Sequence, residues 1–252
     1  MDFSIITAVK NNYSTIAHCM NSIQYQNLGS HSIEHVIIDG GSVDSTRGVI
    51  NKNKNGNTKI LFNPDNNQYE AMNKGIKMAS GKVLGFLNAD DFYPSHDTIK
   101  KVGDALTNSQ VDSCYGDLRY VDKKDINRTI RYWEAGHFRK KNFYFGWMPP
   151  HPTFFVKKSI YEELGTFNLE LGTAADYELM LRFLVKYGIS THYIPEAIVH
   201  MRTGGISNAT IKGRLRANKM DRKAWRVNGL KPLPVTLLLK PARKLVQYIS
   251  KS

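Results

Sequence analysis

The chain has 252 residues, 41% of them hydrophobic, enough to bury one large core or one core with an appendage. Its formal net charge of +13 invites a nucleic-acid reading until it is located: twelve Lys and Arg lie from Lys212 onward against the single acid Asp221, leaving 23 basic and 21 acidic residues in positions 1–211. A nearly neutral body argues against nucleic-acid binding, and two distant cysteines, Cys19 and Cys114, form no CxxC pair and so indicate neither a disulfide framework nor a zinc site.

Phe3 to Val9 reads as a strand, residues 13–26 as a helix and Ile33 to Ile38 as a second strand. Gly40-Gly41-Ser42 supplies a turn, and Asp44-Ser45-Thr46 opens another helix. Lys59 to Phe62 is a third strand. Tyr69 to Ala79 carries apolar residues at helical spacing, and Val83 to Leu87 is a short apolar run after Gly81. This βαβα order implies an α/β fold with a mostly parallel central sheet flanked by helices.

Beyond it, a helix is expected near residues 95–108, a hairpin over 119–133 turning at Lys123-Lys124-Asp125, and a non-helical loop at Met148 to Pro152. A helix over Tyr177 to Lys186 and two closing strands at 193–194 and 198–199 follow, with a tail from about Asn208. There is no internal repeat, and no segment approaches the roughly 18 apolar residues of a membrane span. Together with the absence of a basic leader, this predicts a cytoplasmic protein that is neither exported nor membrane-spanning.

The strand to Leu87 runs directly into Asn88-Ala89-Asp90-Asp91. Ligands of parallel sheets gather at the strands' carboxyl ends, and carboxylates there suit Mg²⁺ or Mn²⁺ completed by water and substrate phosphates. Asp39 ends the second strand, where it can accept hydrogen bonds from a base or ribose. Neither GxGxxG after the first strand nor a GKS/GKT loop is present, so a dinucleotide fold and a P-loop enzyme lack support.

Several motifs occur in one order: Thr7-Ala8-Val9-Lys10-Asn11, Ile38 to Thr46, Asn63-Pro64-Asp65 through Tyr69-Glu70-Ala71-Met72-Asn73-Lys74-Gly75, and Phe86 to Asp91. His151 to Phe155, Gly165-Thr166-Phe167, Ala175 to Leu179 and Arg202 to Ser207 continue the series. Over residues 2–208 the chain resembles family 2 glycosyltransferases of the GT-A fold, of the kind that builds bacterial capsule or O-antigen.

The resemblance implies that Thr7, Val9 and Asn11 line a nucleotide pocket, with Asp39 on the uracil or ribose and Asp65 and Asn73 also on the donor side. It implies Asp91 as the direct metal ligand, Asp90 facing ribose or phosphate, Asp176 as catalytic base and Arg202 closing over the diphosphate with a mobile loop. His151 and Tyr69 fall on the acceptor or diphosphate side. Two departures stand out: Asn88 where many members carry an acid, and Asn66-Asn67-Gln68 in place of a Gly-containing loop. Asp176 also fits a capping box begun by Thr173, which would make it only a helix cap. His200 reads as a hydrogen-bonded structural residue, and Trp133, Trp147 and Trp225 as core or tail packing rather than sugar platforms.

The expected activity is inverting transfer of a sugar from a UDP-linked donor to a lipid-linked glycan acceptor, with Mg²⁺ or Mn²⁺. The alternatives are a sugar-phosphate nucleotidyltransferase and a non-enzymatic nucleic-acid-binding protein. The expected division is a catalytic domain over 1–208 and a basic helical tail over 209–252. In that tail Pro232 to Lys240 and Leu245 to Ile249 add apolar clusters between cations, the pattern of an anchor on an anionic membrane surface at the inner face of the cytoplasmic membrane. Oligomeric state is left open.

Overall fold

The computed structural model describes residues 1–65, 67–204 and 211–247. Asn66, the Gly205-Ile206-Ser207 part of the last motif and the apolar pair Tyr248-Ile249 lie outside the described residues. The strands are β1 (Phe3–Val9), β2 (Ile33–Asp39), β3 (Thr58–Phe62), β4 (Val83–Phe86), β5 (Ser113–Val121), β6 (Thr129–Trp133), β7 (Phe155–Lys157) and β8 (Thr191–Arg202). The helices are α1 (Ile16–Gln24), α2 (Thr46–Asn53), α3 (Gln68–Met78), α4 (Thr98–Asn108), α5 (Lys140–Tyr144), α6 (Lys158–Leu164), α7 (Ala175–Met180), α8 (Ile211–Val227) and α9 (Thr236–Val246).

One sheet runs in the order β3-β2-β1-β4-β7-β5-β6, with β8 also paired to β5. β3, β2, β1 and β4 are mutually parallel, so Phe62, Asp39, Val9 and Phe86 all end at one edge. β7 pairs antiparallel with both β4 and β5, joining this half to the second. Every residue of β2 is buried, as a strand covered on both faces requires. Glu34 is satisfied internally, whereas Nδ1 of His35 and Oδ2 of Asp39 have no hydrogen-bond partner. Burial alone pushes Glu34 up, but Lys59, Ser4 and Ser80 donate to its carboxylate and hold it down at about 2.

Two apolar clusters cover the two faces, one built around α3 and α7, the other around α1 and α4. α3 begins where the Asn67 side chain accepts from the backbone N–H groups of Tyr69 and Glu70, at 3.0 and 3.1 Å. It lies hard against β1, because a Cβ on Gly75 would stand 2.4 Å from Cγ2 of Ile6.

The second half departs from expectation in three places. The two closing strands are a single strand, β8, whose register against β5 shifts at Gly116 and Asp117. The proline loop contains a 3₁₀ turn over His151–Thr153, with Pro152 in the first turn where no N–H is needed. The expected helix over 177–186 starts at Ala175 and becomes π-helical over Leu181–Tyr187.

The tail folds back on the body. Trp225 is fully buried, its indole N–H donating to the Tyr177 hydroxyl at 2.9 Å. Asn228 donates to Glu178, and Lys240 pairs with Asp221 at 2.8 Å while lying 3.5 Å over the Tyr177 ring. Among the described residues no helix is long and apolar enough to cross a membrane.

Candidate active site

The turn after β2 shows how the parallel edge presents polar atoms. Asp39 is fully buried, and its Oδ1 accepts from the N–H groups of Gly41 and Ser42 at 2.9 and 2.6 Å. Gly41 has φ 92°, a conformation that favours glycine. Oδ2 of Asp39 accepts no hydrogen bond; the nearest cation, Nε of Arg47, is 3.5 Å away. Asp65 has the same asymmetry: Lys74 holds Oδ1, and Oδ2 is buried without a partner. A Cβ on Gly40 would lie 3.5 Å from that Oδ2 and 3.7 Å from the Val9 carbonyl. Buried acceptors lacking donors are costly. Two of them at neighbouring turns suit the N–H and O–H groups of a nucleoside.

Asn11, with φ 52°, ties two turns together: its N–H donates to Ser42 Oγ, and its side-chain oxygen accepts from Val43 N–H, both at 2.9 Å. The Val9 side chain is buried and its carbonyl accepts from Gly40 N–H. Thr7 departs from the expected lining role, since its side chain is fully buried and its hydroxyl donates to the Leu87 carbonyl at 2.8 Å. Its one proton is thereby used, so Nε2 of His35, 2.9 Å away, donates to it.

A cleft of about 230 Å³ opens at this edge, lined by Asn11, Asn12, Ser14, Thr15, Asp90, Lys123, Arg202, Thr203 and Gly204. The acidic pair divides in the reverse of the expected way. Asp91, expected as the direct metal ligand, is 0% exposed; Oδ2 accepts from the Asn88 amide at 2.7 Å and Oδ1 from Arg202 N–H at 3.3 Å. Burial, and then the neighbouring charge of Asp90, push its carboxyl well above the usual range. Asp90 is the member that reaches the cleft. Among the described residues no group of three or more His, Cys, Asp or Glu could hold a metal. One cleft-facing carboxylate fits Mg²⁺ or Mn²⁺ only if substrate phosphates and water complete the shell, as these ions allow.

Arg202 departs too. It is 8% exposed, and its guanidinium donates to the Asp90 carbonyl and to Nδ1 of His18 while lying 4.8 Å over the Phe92 ring. It braces the acidic turn from beneath. His18 was not anticipated; it stacks on Phe92 at 4.4 Å, and burial, aided by the Arg202 charge, lowers its pKa and keeps Nδ1 an acceptor. Lys123 was missed as well, because only the β5–β6 hairpin's path brings it to the cleft.

Asp176, Tyr69 and His151 converge elsewhere. The Tyr69 phenol lies beside Asp176, and burial, then that carboxylate's charge, raise its pKa well above normal. Oδ1 of Asp176 accepts from Tyr177 N–H at 2.7 Å. The capping-box alternative does not hold: the N-cap is Ala174, and Asp176 lies inside the first turn of α7. His151 packs 5.5 Å from both Phe86 and Phe167, with Nε2 buried and unpartnered; burial lowers its pKa and the Asp176 charge opposes that.

Asn73, expected on the donor side, spends its amide elsewhere. It donates to the Phe167 carbonyl at 2.9 Å and accepts Phe167 N–H at 3.0 Å, clasping α3 to the loop beside His151. Arg182 holds the same loop through the carbonyls of Leu164, Gly165 and Thr166, and Glu178 holds Arg182 at 2.9 Å. His200 is structural: it bridges Phe92 in the sheet, and burial pushes it down to about 4. Trp147 is buried and donates to the Ala135 carbonyl.

The family model described as Glycosyl transferase family 2 matches residues 4–165. The chain belongs to this family. It is 28% identical over 214 residues to a PGL/p-HBAD biosynthesis glycosyltransferase of Mycobacterium bovis, covering 83% of this chain and 80% of the relative. An uncharacterized glycosyltransferase of Mycobacterium tuberculosis is 30% identical over 183 residues, covering 71% and 67%. Among solved structures, residues 1–349 of S. aureus TarS in complex with UDP-GlcNAc superpose with a TM-score of 0.70 at 17% identity, covering 100% of this chain and 74% of that one. The chain spans 44% of a longer TarS chain. A mannosyltransferase from Pyrobaculum calidifontis in complex with GDP-Man and Mn²⁺ gives 0.65 at 14% identity, covering 99% and 76%. The fold of this glycosyltransferase is the mixed α/β architecture of these neighbours.

Proposed function

We propose that this glycosyltransferase moves a sugar from a UDP-linked donor to a hydroxyl of a lipid-linked glycan, with inversion, in bacterial surface-polysaccharide synthesis. Residues 1–208 carry the chemistry. The observation that carries the reading is the pair of buried carboxylate oxygens on Asp39 and Asp65 that accept no hydrogen bond, beside the Val9 carbonyl and next to a cleft that Asp90 enters. The uracil N–H and ribose hydroxyls are donors of the kind those oxygens lack. The relatives' names support glycosyl transfer, and the UDP-GlcNAc complex of TarS supports the donor class.

In this reading Asp90 would hold Mg²⁺ or Mn²⁺, with substrate phosphates and water completing the ion's shell. Bound there, the ion neutralises the charge that develops on the departing nucleoside diphosphate. Asp91, Asn88, His18 and Arg202 keep the Asp90 turn in place. Asp176 accepts the acceptor hydroxyl's proton as that oxygen bonds to the anomeric carbon and the carbon–phosphate-oxygen bond breaks. A single displacement inverts the anomeric centre. Tyr69, beside Asp176, orients the base.

The deciding experiment incubates the full chain with a panel of nucleotide sugars, with and without Mn²⁺ or Mg²⁺, and measures nucleotide release. Metal-dependent release of UDP from one donor, increased by a lipid-linked acceptor, is expected. Release of pyrophosphate instead, or no release from any donor, would overturn the proposal.

A further inference from the structure

α9 faces outward with its apolar side. Thr236 and Leu237 are buried, and Lys240 points inward onto Asp221 and the Tyr177 ring. Val235 and Leu238, 43% and 69% exposed, lie on the opposite side with Pro241 and Ala242, also exposed, at the helical spacing that makes one face. This inverts the ordinary arrangement of a surface helix.

The catalytic body extends the same patch. Thr236 Oγ1 donates to the Tyr144 carbonyl at 2.6 Å and Nε of Arg243 to the Phe145 carbonyl at 2.9 Å, while a Cβ on Gly146 would stand 2.4 Å from Lys240 N. The backbone around Phe145 therefore lies against α9, and the Phe145 side chain is 45% exposed. Around this apolar centre Lys140, Lys141, Lys231 and Arg243 are exposed. No acid occurs in residues 135–161 or 222–252, and Asp221 is occupied by Lys240.

We infer that α9 and the Phe145 loop together form a docking surface for an anionic lipid bilayer, with Phe145, Val235 and Leu238 entering the headgroup boundary and the surrounding cations meeting anionic headgroups. Exposed apolar groups ringed by one sign of charge have that chemistry. The inference deepens the reading of a lipid-linked acceptor, on which it rests, and narrows the expected tail anchor. α8 turns Trp225 and Ala224 into the body, so the lipid-facing part is α9 plus a loop of the catalytic unit.

The test is flotation of the full chain with vesicles of phosphatidylcholine alone or mixed with phosphatidylglycerol. Wild type binds the anionic vesicles at least about tenfold more tightly than the neutral ones, and added salt weakens that binding. The double variant Phe145→Asp/Leu238→Asp, the milder Leu238→Ser and the charge reversal Lys140→Glu/Lys141→Glu each reduce anionic-vesicle binding, the double variants by about tenfold or more. UDP affinity by calorimetry and thermal unfolding stay near wild type in Leu238→Ser. The surface is rejected if wild type ignores anionic vesicles, if the folded variants bind as wild type does, or if Leu238→Ser instead splits a dimer, which would assign the patch to a second copy. Vesicle binding that follows the expected pattern in a protein with no UDP affinity would sink the donor reading and leave the surface standing.

Discussion

The donor edge and the Asp176 side of this molecule are held in place by different means. At the donor edge the polar groups are fixed largely by their own or adjoining turns: Asp39 by the N–H groups two and three residues on, Asn11 by the adjoining turn, and Asp91 by Asn88 together with one distant donor, Arg202 N–H. On the other side the fixing groups come from far along the chain. Asn73 grips Phe167, Arg182 grips residues 164–166, and Tyr69 reaches Asp176 from α3. Local fixing leaves one oxygen of Asp39 without a hydrogen-bond donor. Distant fixing couples Asp176, the proposed base, to the packing of the core, so substitutions on the two sides should have different signatures.

The largest expected effect separates them cleanly. Asp176→Asn lowers transfer by about 10²–10⁴-fold, the usual worth of a positioned general base, while UDP affinity stays within about twofold. Near-normal turnover would remove Asp176 from the chemistry. Arg182→Met tests whether distant fixing matters: it strands the buried Glu178 and costs about 3–5 kcal/mol of stability in denaturant unfolding. In the surviving folded fraction kcat falls and donor KM holds; a change in donor KM alone would contradict the division.

Within the donor edge, Asp90 and Asp91 give opposite outcomes. Asp90→Asn weakens Mn²⁺-dependent UDP binding by about 10–100-fold with little change in melting temperature. Asp91→Asn sets an NH2 group against one of its two donors, Asn88 or Arg202 N–H, and costs about 1–3 kcal/mol of stability. Equal losses of metal-dependent binding with no stability difference would restore Asp91 as the direct ligand. Tyr69→Phe is milder, reducing kcat about tenfold with donor KM unchanged; a shift in donor KM would move Tyr69 to the donor side.

The smallest effect concerns the core beneath the donor edge. Burial pushes His35 down to about 3, so the folded state binds its proton less readily than the unfolded chain. Stability from this residue is present above about pH 6.5 and declines as pH falls toward 3. His35→Gln should flatten that part of the stability–pH curve. An unchanged slope would show that other groups dominate acid sensitivity.

The donor edge was legible because parallel strands announce themselves as apolar runs and their C-terminal turns are short and local. Asp39, Asn11 and Asp90 could be placed at one edge from the order of elements. Which acid of the 90–91 pair turns inward could not be read, since Arg202, more than a hundred residues away, decides it. Asn73 was misread for a similar reason: its amide is claimed by Phe167, a partner with no sequence proximity. Lys123 and His18 carried no motif. In the tail the alternation of apolar and basic residues was visible, but which face met the body depended on Asp221 and Tyr177 accepting Lys240.

Gly75 has a consequence beyond close packing. Because α3 rests directly on Ile6 of β1, and carries Tyr69 at one end and Asn73 in the middle, it acts as a gauge between the nucleotide edge and the proton acceptor. A methyl group added there would lift the helix from the strand and displace both contacts at once. In the proposed reading, the spacing between the donor and the base therefore depends on a residue that touches neither.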